Sequence, residues 1–405
     1  MHPQLWTVPG IGYTVHAWGF MVFLGFWIAV WVAVLQARRA AASPAVVTTI
    51  ALIGAVAGLV GCRAMYLLHY YREPIRSGGM DFQDVAAMRG GGEILGGVLL
   101  ATLAVIVYLV AARRSIRLYL DVVLPSVILA MGIGRIGCLL AGCCWGETCL
   151  VDAGRKALPW AVRFPYGAPA YERHWQDGQL TVPDELLWAL PGNAERTPIP
   201  AAILADPAID GNRQLAEYVE HVQALSALKD APPQSPEVAR HRDRLSALQP
   251  VLPGGSKEET TAYVAAAAHL RRLSQQRDRP VTIADLRAIA ATQHSQWVHP
   301  AQIYDAIGLA LLFFVLSAVL RRRRRHGMVV AWTMMLYPVS RFLQEMLRGD
   351  NPHDVAGLTV SQSLSAVLFA LGLIYLLILI RFLPERSPRA ADAPQRSTDQ
   401  APSPA

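Results

Sequence analysis

Charge is scarce in this chain: Asp, Glu, Lys and Arg together make up 17% of its 405 residues, against 53% hydrophobic, and the mean hydropathy is +0.30. A single soluble globule of that length needs more polar surface than this composition supplies. The scarcity is uneven. Seven runs with almost no charge, near 17–36, 45–68, 94–112, 120–141, 302–320, 328–347 and 362–382, reach or approach the ~20 residues that a helix needs to cross a bilayer. The sequence therefore predicts an all-α integral membrane protein with seven transmembrane helices. Other absences narrow the class. No Lys or Arg precedes residue 38, so the first run lacks the basic flank of a cleaved leader and reads as a retained span. No strong internal repeat is evident, which counts against transporters built from inverted repeats. Only five cysteines occur, at Cys62, Cys138, Cys143, Cys144 and Cys149. Their C-x4-C-C-x4-C run has no histidine pair beside it, so a metal is not expected. A disulfide from Cys143 or Cys144 to Cys149 or Cys138 is the plainer reading.

The arginines that are present set an orientation. Arg38 and Arg39 follow the first run, Arg113, Arg114 and Arg117 the third, and Arg321 to Arg325 the fifth. Seven spans put all three clusters, and the C-terminus, on the cytoplasmic side of the inner membrane, with the N-terminus outside. The net charge of +7 and pI near 9.3 then reflect arginines facing anionic lipid rather than nucleic acid. Four segments follow. Residues 1–141 hold spans one to four and a glycine-rich outer segment, and 142–301 form an extracytoplasmic insertion between spans four and five. Residues 302–382 hold spans five to seven, and 383–405 are a disordered tail rich in Pro, Ala and Ser. Within the insertion, 167–297 reads as mostly helical, through stretches such as "NRQLAEYVEHVQALSALK".

Polar groups concentrate at the outer ends of the runs. Arg135 interrupts "GIGRIGCLLAGCCWG" (132–146), and "SRFLQEMLR" (340–348) places Arg341, Glu345 and Arg348 at i, i+4 and i+7, one face of a helix. "RGGGEILGG" (89–97) enters the third run with five glycines, whose bare backbone lets a ligand approach. "HPAQIYDA" (299–306) opens the fifth run with His299 and Tyr304 at the interface. A guanidinium in hydrocarbon costs several kcal/mol unless it is paired or wet. Arginines on separate helices at one depth suit a phosphate or carboxylate. A phospholipid headgroup is the anion that a membrane supplies most readily. The plain alternative is a structural ion pair, Arg135 to Glu345, joining spans four and six.

These motifs together resemble the bacterial prolipoprotein diacylglyceryl transferases. "GRIGCLLAGCCWG" is similar to that family's signature, "RGGGEILGG" to its glycine-rich segment, "HPAQIYDA" to its HP-x-Q-x-Y-E and "RFLQEMLRGDN" to its R-F-x-x-E-x-x-R. The resemblance covers 10–145 and 299–382, in order, and leaves the insertion uncovered. It implies transfer of a diacylglyceryl group from phosphatidylglycerol to the lipobox cysteine of an exported prolipoprotein. That reaction forms a thioether and releases glycerol phosphate, with no soluble cofactor. By the same resemblance Arg135 and Arg341 bind the headgroup, Glu345 and Arg348 support them, and Gly96 and Gly97 let the lipid approach. Gly134, Gly137 and Gln302 fall within the matching motifs and join the substrate-binding set. The chain departs from the pattern in three places: Leu95 stands for the usual histidine, Cys138 for an asparagine, and "GCCW" for G-E-L-W. The substrate thiol must lose a proton, and the candidate bases are His69, Glu93, His299 and Tyr304. A phospholipid transporter or scramblase, and a related lipid transferase with another acceptor, are the competing classes.

Overall fold

The computed structural model describes residues 4–7, 14–70, 93–151, 155–156, 158–189, 196–206, 209, 212–228, 232, 235–249, 257–348 and 357–382. A short strand pair, β1 (Gln4–Thr7) and β2 (Thr14–His16), precedes four long helices: α1 (Ala17–Arg39), α2 (Pro44–Tyr70), α3 (Ile94–Ala111) and α4 (Ile116–Ala141). Next come β3 (Leu150–Val151), β4 (Arg155–Lys156), α5 (Pro169–Gln176), β5 (Leu187–Ala189) and β6 (Arg196–Pro198). They are followed by α6 (Ala201–Ala205), α7 (Arg213–Ala227), α8 (Pro236–Leu248), α9 (Lys257–Arg277) and α10 (Ile283–Thr292). Three more long helices close the described chain: α11 (Ala301–Arg322), α12 (Met328–Glu345) and α13 (Val360–Phe382). The long helices lie where the apolar runs predict them. The glycine-rich residues 89–92 and the tail 383–405 fall outside the described residues.

Two compact units result, one of residues 147–299 and one of 2–146 with 300–405. In the second, six helices (α1, α2 as far as His69, α3, α4, α11 and α13) are long and apolar enough to cross a membrane. The remaining long helix, α12, packs against α13, α11 and α4, but its last turns carry Ser340, Arg341, Gln344 and Glu345, which lower its apolarity. Side chains are distributed inside out. Trp31, Val56, Leu103, Phe314 and Phe382 face outward, while Gln36, Asp121, Gln302, Asp305 and Glu345 are buried. Hydrocarbon outside removes any penalty for exposing the apolar groups, and the polar ones must then find partners within the bundle.

Close packing follows the small residues. Helix α1 lies on α4, where a Cβ at Gly25 would sit 3.1 Å from Ala130 O and one at Gly137 3.1 Å from Trp18 Cα. On the α2–α3 pair, a Cβ at Gly96 would collide with Met65 and Gly61. One at Gly97 would collide with Cys62 Sγ and stand 2.9 Å from Gly58 O.

The 147–299 unit obeys the opposite rule. Its core gathers Tyr171, Leu186, Trp188, Ile199, Leu215, Ile283 and Leu286 from helices and from the β5–β6 hairpin. Arginines and carboxylates lie toward its surface, as in the Arg196–Asp184 and Arg244–Glu217 pairs. Side-chain caps start three of its described helices. Asn212 caps α7, Ser235 caps α8, and Thr282 with Asp285 forms a capping box on α10. The two hairpins add a little strand to a unit that the sequence reads as helical.

Candidate active site

Helix α4 brings Arg135 and Cys138 to its last turns and stops at Gly142, whose φ of 75° is the left-handed C-cap that glycine adopts freely. The chain then doubles back, with Cys144 also at positive φ, 58°. Cys143 N–H donates to Cys138 O at 3.1 Å, and Gln302 Nε2 on α11 donates to Cys143 O at 2.7 Å, pinning the turn to the neighbouring helix. As a result the sulfurs of Cys138, Cys143 and Cys144 lie within 4.8 Å of one another. All five cysteines are free thiols, so the expected disulfide does not form. The turn folds Cys143 and Cys144 back on Cys138 as a trio instead of passing them to Cys149, which sits in the other unit with its N–H on Trp297 O.

Arg135 is paired, and its partner is Asp305. The Nε–Oδ2 distance is 3.0 Å, with the guanidinium 20% and the carboxylate 6% exposed. Glu345 is taken by its own helix, its Oε2 lying 2.7 Å from Arg341 Nη2. The alternative Arg135–Glu345 pair is therefore not formed. A carboxylate one turn from Arg341 meets that arginine first, whereas Asp305 faces α4 from α11. Asp305 stands inside "HPAQIYDA" and was not singled out from the sequence. Its signal was present, because it is an ionisable group on the helix face buried through Ala301, Gln302 and Leu309.

Two residues at the start of α13 complete the second pair. Thr359 Oγ1 donates to Glu345 Oε1 at 3.2 Å, and Arg341 Nε donates to Ser361 Oγ at 3.0 Å. Thr359 and Gln362 form a reciprocal cap, each side chain accepting the other's backbone N–H, so the helix start is itself rigid. Arg341 Nη1 is buried and makes no hydrogen bond among the described residues. The expected face of Arg341, Glu345 and Arg348 ends early. Helix α12 stops at Glu345, tighter turns follow (Leu347 N–H to Gln344 O, Arg348 N–H to Glu345 O), and Arg348 forms a β-bridge with Gly146. That bridge carries Arg348 back to the cysteine turn. Asp305 lies in the field of Arg135, Arg341 and Arg348. Three guanidiniums against the two carboxylates leave the cluster with a net charge of +1. Hydrogen bonds from the Cys138 and Cys143 thiols, reinforced by Arg348 and Arg135, hold the Cys144 thiol below the usual cysteine range.

The other expected site residues are dispersed. Tyr304 is half-buried on α11. His299 belongs to the 147–299 unit, its N–H on Glu147 O. His69 and Glu93 pair with each other, Nδ1 to Oε2 at 3.4 Å. Gly96 and Gly97 are buried against α2, Gly137 is buried against α1, and Gly134 has open space beside it.

The family model described as prolipoprotein diacylglyceryl transferase matches residues 4–378. A protein of Rhodopirellula baltica named phosphatidylglycerol–prolipoprotein diacylglyceryl transferase is 30% identical over 172 residues, 42% of this chain and 34% of that protein. A Clostridium tetani protein of the same name is 29% identical over 156 residues, 38% of this chain and 59% of its own length. In Clostridium perfringens, a protein named as the second such transferase is 25% identical over 160 residues, 40% of this chain and 61% of its own length. The chain thus spans between about one third and three fifths of these relatives.

Proposed function

The chain belongs to the prolipoprotein diacylglyceryl transferase family, and on that premise we propose that it moves a diacylglyceryl group from phosphatidylglycerol to the cysteine thiol of an exported prolipoprotein. It is a multi-pass membrane protein. In this reading α12 is the seventh crossing, since it packs among α4, α11 and α13. The arginine clusters after α1, α3 and α11 then face the cytoplasm, and the 142–301 insertion lies outside the inner membrane.

The observation that carries the reading is Arg341 Nη1, a buried charged donor without a hydrogen bond among the described residues, on a guanidinium that is still 16% exposed in a cluster of net positive charge. Such a donor costs ~1–3 kcal/mol or more if nothing occupies it, and a phosphate oxygen is its natural complement. Arg135 and Arg341 hold the headgroup phosphate, while Asp305 and Glu345 fix the guanidinium planes and Thr359 and Ser361 fix α12 against α13. Arg348 adds charge from the turn beyond α12. Gln302 steadies the cysteine turn, and Gly134 and Gly137 keep α4 slender beside Arg135. Gly96 and Gly97 act at one remove, by letting α2 and α3 pack closely.

The chemistry follows from the donor. Attack by the acceptor sulfur on the glyceryl carbon breaks a carbon–oxygen bond, and the electron pair goes to the phosphate oxygen. Guanidiniums already aimed at that oxygen stabilise the charge as it develops, with little reorganisation. The acceptor thiol gives up its proton before attack, and Tyr304, His299 and the His69–Glu93 pair are the candidate recipients.

Purified protein with labelled phosphatidylglycerol and a lipobox peptide tests the assignment. Wild type should transfer label to the peptide thiol. Arg135→Gln and Arg341→Gln should each lose transfer by about 10²-fold or more while remaining folded by thermal melt. Full transfer by the folded Gln variants would remove the arginines from the site, and no transfer by wild type would sink the assignment.

A further inference from the structure

The cysteine turn has no part in holding a phosphate, yet its construction is specific. Two positive-φ demands within three residues, at Gly142 and Cys144, fold it back on α4. Left-handed backbone at a residue with a side chain costs of order 1–3 kcal/mol and persists only where the surroundings impose it. Here the imposing contacts are the Gln302 bond to Cys143 O and the Gly146–Arg348 bridge. What the strain achieves is convergence: one thiol from the helix and two from the turn, mutually within 4.8 Å.

We infer that Cys138, Cys143 and Cys144 bind one Zn²⁺ and that its fourth position receives the acceptor thiol. Zinc–sulfur bonds of ~2.3 Å in a tetrahedron put ligand sulfurs ~3.8 Å apart, so the trio needs to close by no more than about 1 Å. Three protein ligands with an open position is the arrangement of catalytic rather than structural zinc. Sulfur donors select a thiophilic ion over magnesium or calcium. Three thiolates around a divalent ion carry one net negative charge, and Arg135 and Arg348 are in place to balance it.

The inference rests on the transferase reading for the identity of the fourth ligand. Zinc binding releases the three protein thiol protons. The incoming thiol displaces water from the metal and loses its proton to solvent, which leaves a zinc-bound thiolate. That sulfur then forms the bond to the glyceryl carbon as the carbon–oxygen bond breaks toward phosphate. No oxidation state changes, and one proton is released per turnover. A metal-held thiolate at neutral pH answers the need for a base beside the phosphate clamp.

The test uses full-length protein purified in detergent without chelator. Zinc should be present at one equivalent per chain, and Cys138→Ser, Cys143→Ser and Cys144→Ser should each reduce it below about a tenth of that. Because Cys138 is buried and its variant can misfold, reversible removal of zinc from wild type by chelator, with folding followed by melt, supplies the independent arm. Replacement with Co²⁺ should give sulfur-to-metal charge-transfer absorption. A lipobox peptide should intensify that band, and the same peptide with Cys→Ser should leave it unchanged. A disulfide between any two of the three cysteines in protein from native membranes would overturn the inference. So would metal retained by the triple Ser variant, a band indifferent to the peptide, or full transfer by zinc-free protein. A cobalt band that responds to the peptide, in protein that transfers nothing from phosphatidylglycerol, would leave the metal site standing and remove the donor assignment instead.

Discussion

Two places in the bundle bury an arginine with an aspartate, and they are built differently. Asp121 on α4 is fully buried. Its Oδ2 accepts from Gly327 N–H at 2.7 Å and its Oδ1 from Val330 N–H at 3.1 Å, so the carboxylate serves as the N-cap of α12. Arg323 stands 3.6 Å away with its side chain only 3% exposed. At the other end of the same helix, Arg135 meets Asp305 with the guanidinium 20% exposed, and Arg341 beside Glu345 is 16% exposed. Orphan donors do not distinguish the two, because Arg323 Nη1 and Nη2, like Arg341 Nη1, lack hydrogen bonds among the described residues. What separates them is what the carboxylate does and whether anything can reach the arginine. A carboxylate saturated by backbone N–H groups, beside an almost sealed guanidinium, serves the fold. A guanidinium steadied from one side and reachable from the other serves a guest. Residue type alone would have scored the two places alike.

The sharpest way to break that comparison is at its structural member. Asp121→Ala removes the carboxylate acceptor of two backbone N–H groups and leaves Arg323 as a buried charge without its counter-ion, which should cost ~3–5 kcal/mol of stability. Thermal and denaturant unfolding of the purified protein would measure it. The turnover of the molecules that remain folded should be unchanged. A fall in turnover at unchanged stability would mean that the two sites have been assigned the wrong way round.

Next in size is the functional member. Arg341→Gln should lower kcat/KM by about 10²–10³-fold, with a much smaller change in melting temperature than Asp121→Ala produces. Glu345 keeps its Thr359 Oγ1 partner in that variant, which limits the loss of stability. Arg341→Lys restores the charge without the planar fork and should recover only part of the rate. A full recovery would reduce the phosphate clamp to a point charge.

A third substitution probes packing with no ion pair involved. Gly97→Ala drives a methyl against Cys62 Sγ and to 2.9 Å from Gly58 O. It should destabilise by ~1–3 kcal/mol, the usual cost of overpacking. Cys62→Ala in the same chain removes the sulfur but not the carbonyl contact, so it should return part of the loss. Stability unaffected by Gly97→Ala would show that α2 and α3 can separate freely.

Much of the bundle was legible because hydrocarbon imposes a simple rule, long apolar runs broken by basic ends, and the helices lie where those runs do. The proposed phosphate clamp was half legible. Arg135, Arg341 and Glu345 stood out as charges in apolar context, but which carboxylate meets which arginine depends on helix rotation. The run of residues does not encode that, and so Asp305 and the partners Thr359 and Ser361 went unmarked. The i+7 reading of Arg348 failed because the helix ends at Glu345. The cysteines were misread for a related reason. Spacing cannot show that a turn with two positive-φ residues folds three thiols together and leaves Cys149 in the other unit.

Smallest in effect is a prediction that carries the comparison into the 147–299 unit, at His269. This imidazole is buried on α9, with Nε2 2.7 Å from Glu185 O and Nδ1 3.0 Å from Arg272 Nη2. The arginine donates to Nδ1, so Nε2 carries the hydrogen and donates to the carbonyl, and the ring is neutral. Burial pushes its pKa below the ordinary imidazole value of 6.5. The Glu185 carbonyl raises it slightly, and Arg272, facing the nitrogen that a second proton would occupy, lowers it again. The unfolded chain takes up that proton near 6.5 while the folded chain still refuses it, so the stability this histidine supports is complete above that pH and declines as pH falls through and below it. Melts of the full chain between pH 7.5 and 5, followed by tryptophan fluorescence, should show the decline, and His269→Gln should flatten it. Arg272→Gln should weaken the pH dependence without abolishing it, since burial is the larger cause. A decline of equal steepness in His269→Gln would assign it to another group, with His174, also buried and lowered by burial, the next to replace. A neutral, sealed imidazole here and a sealed but charged Asp121–Arg323 pair in the bundle would then mark the same principle: a buried polar group keeps whichever protonation state its neighbours can satisfy.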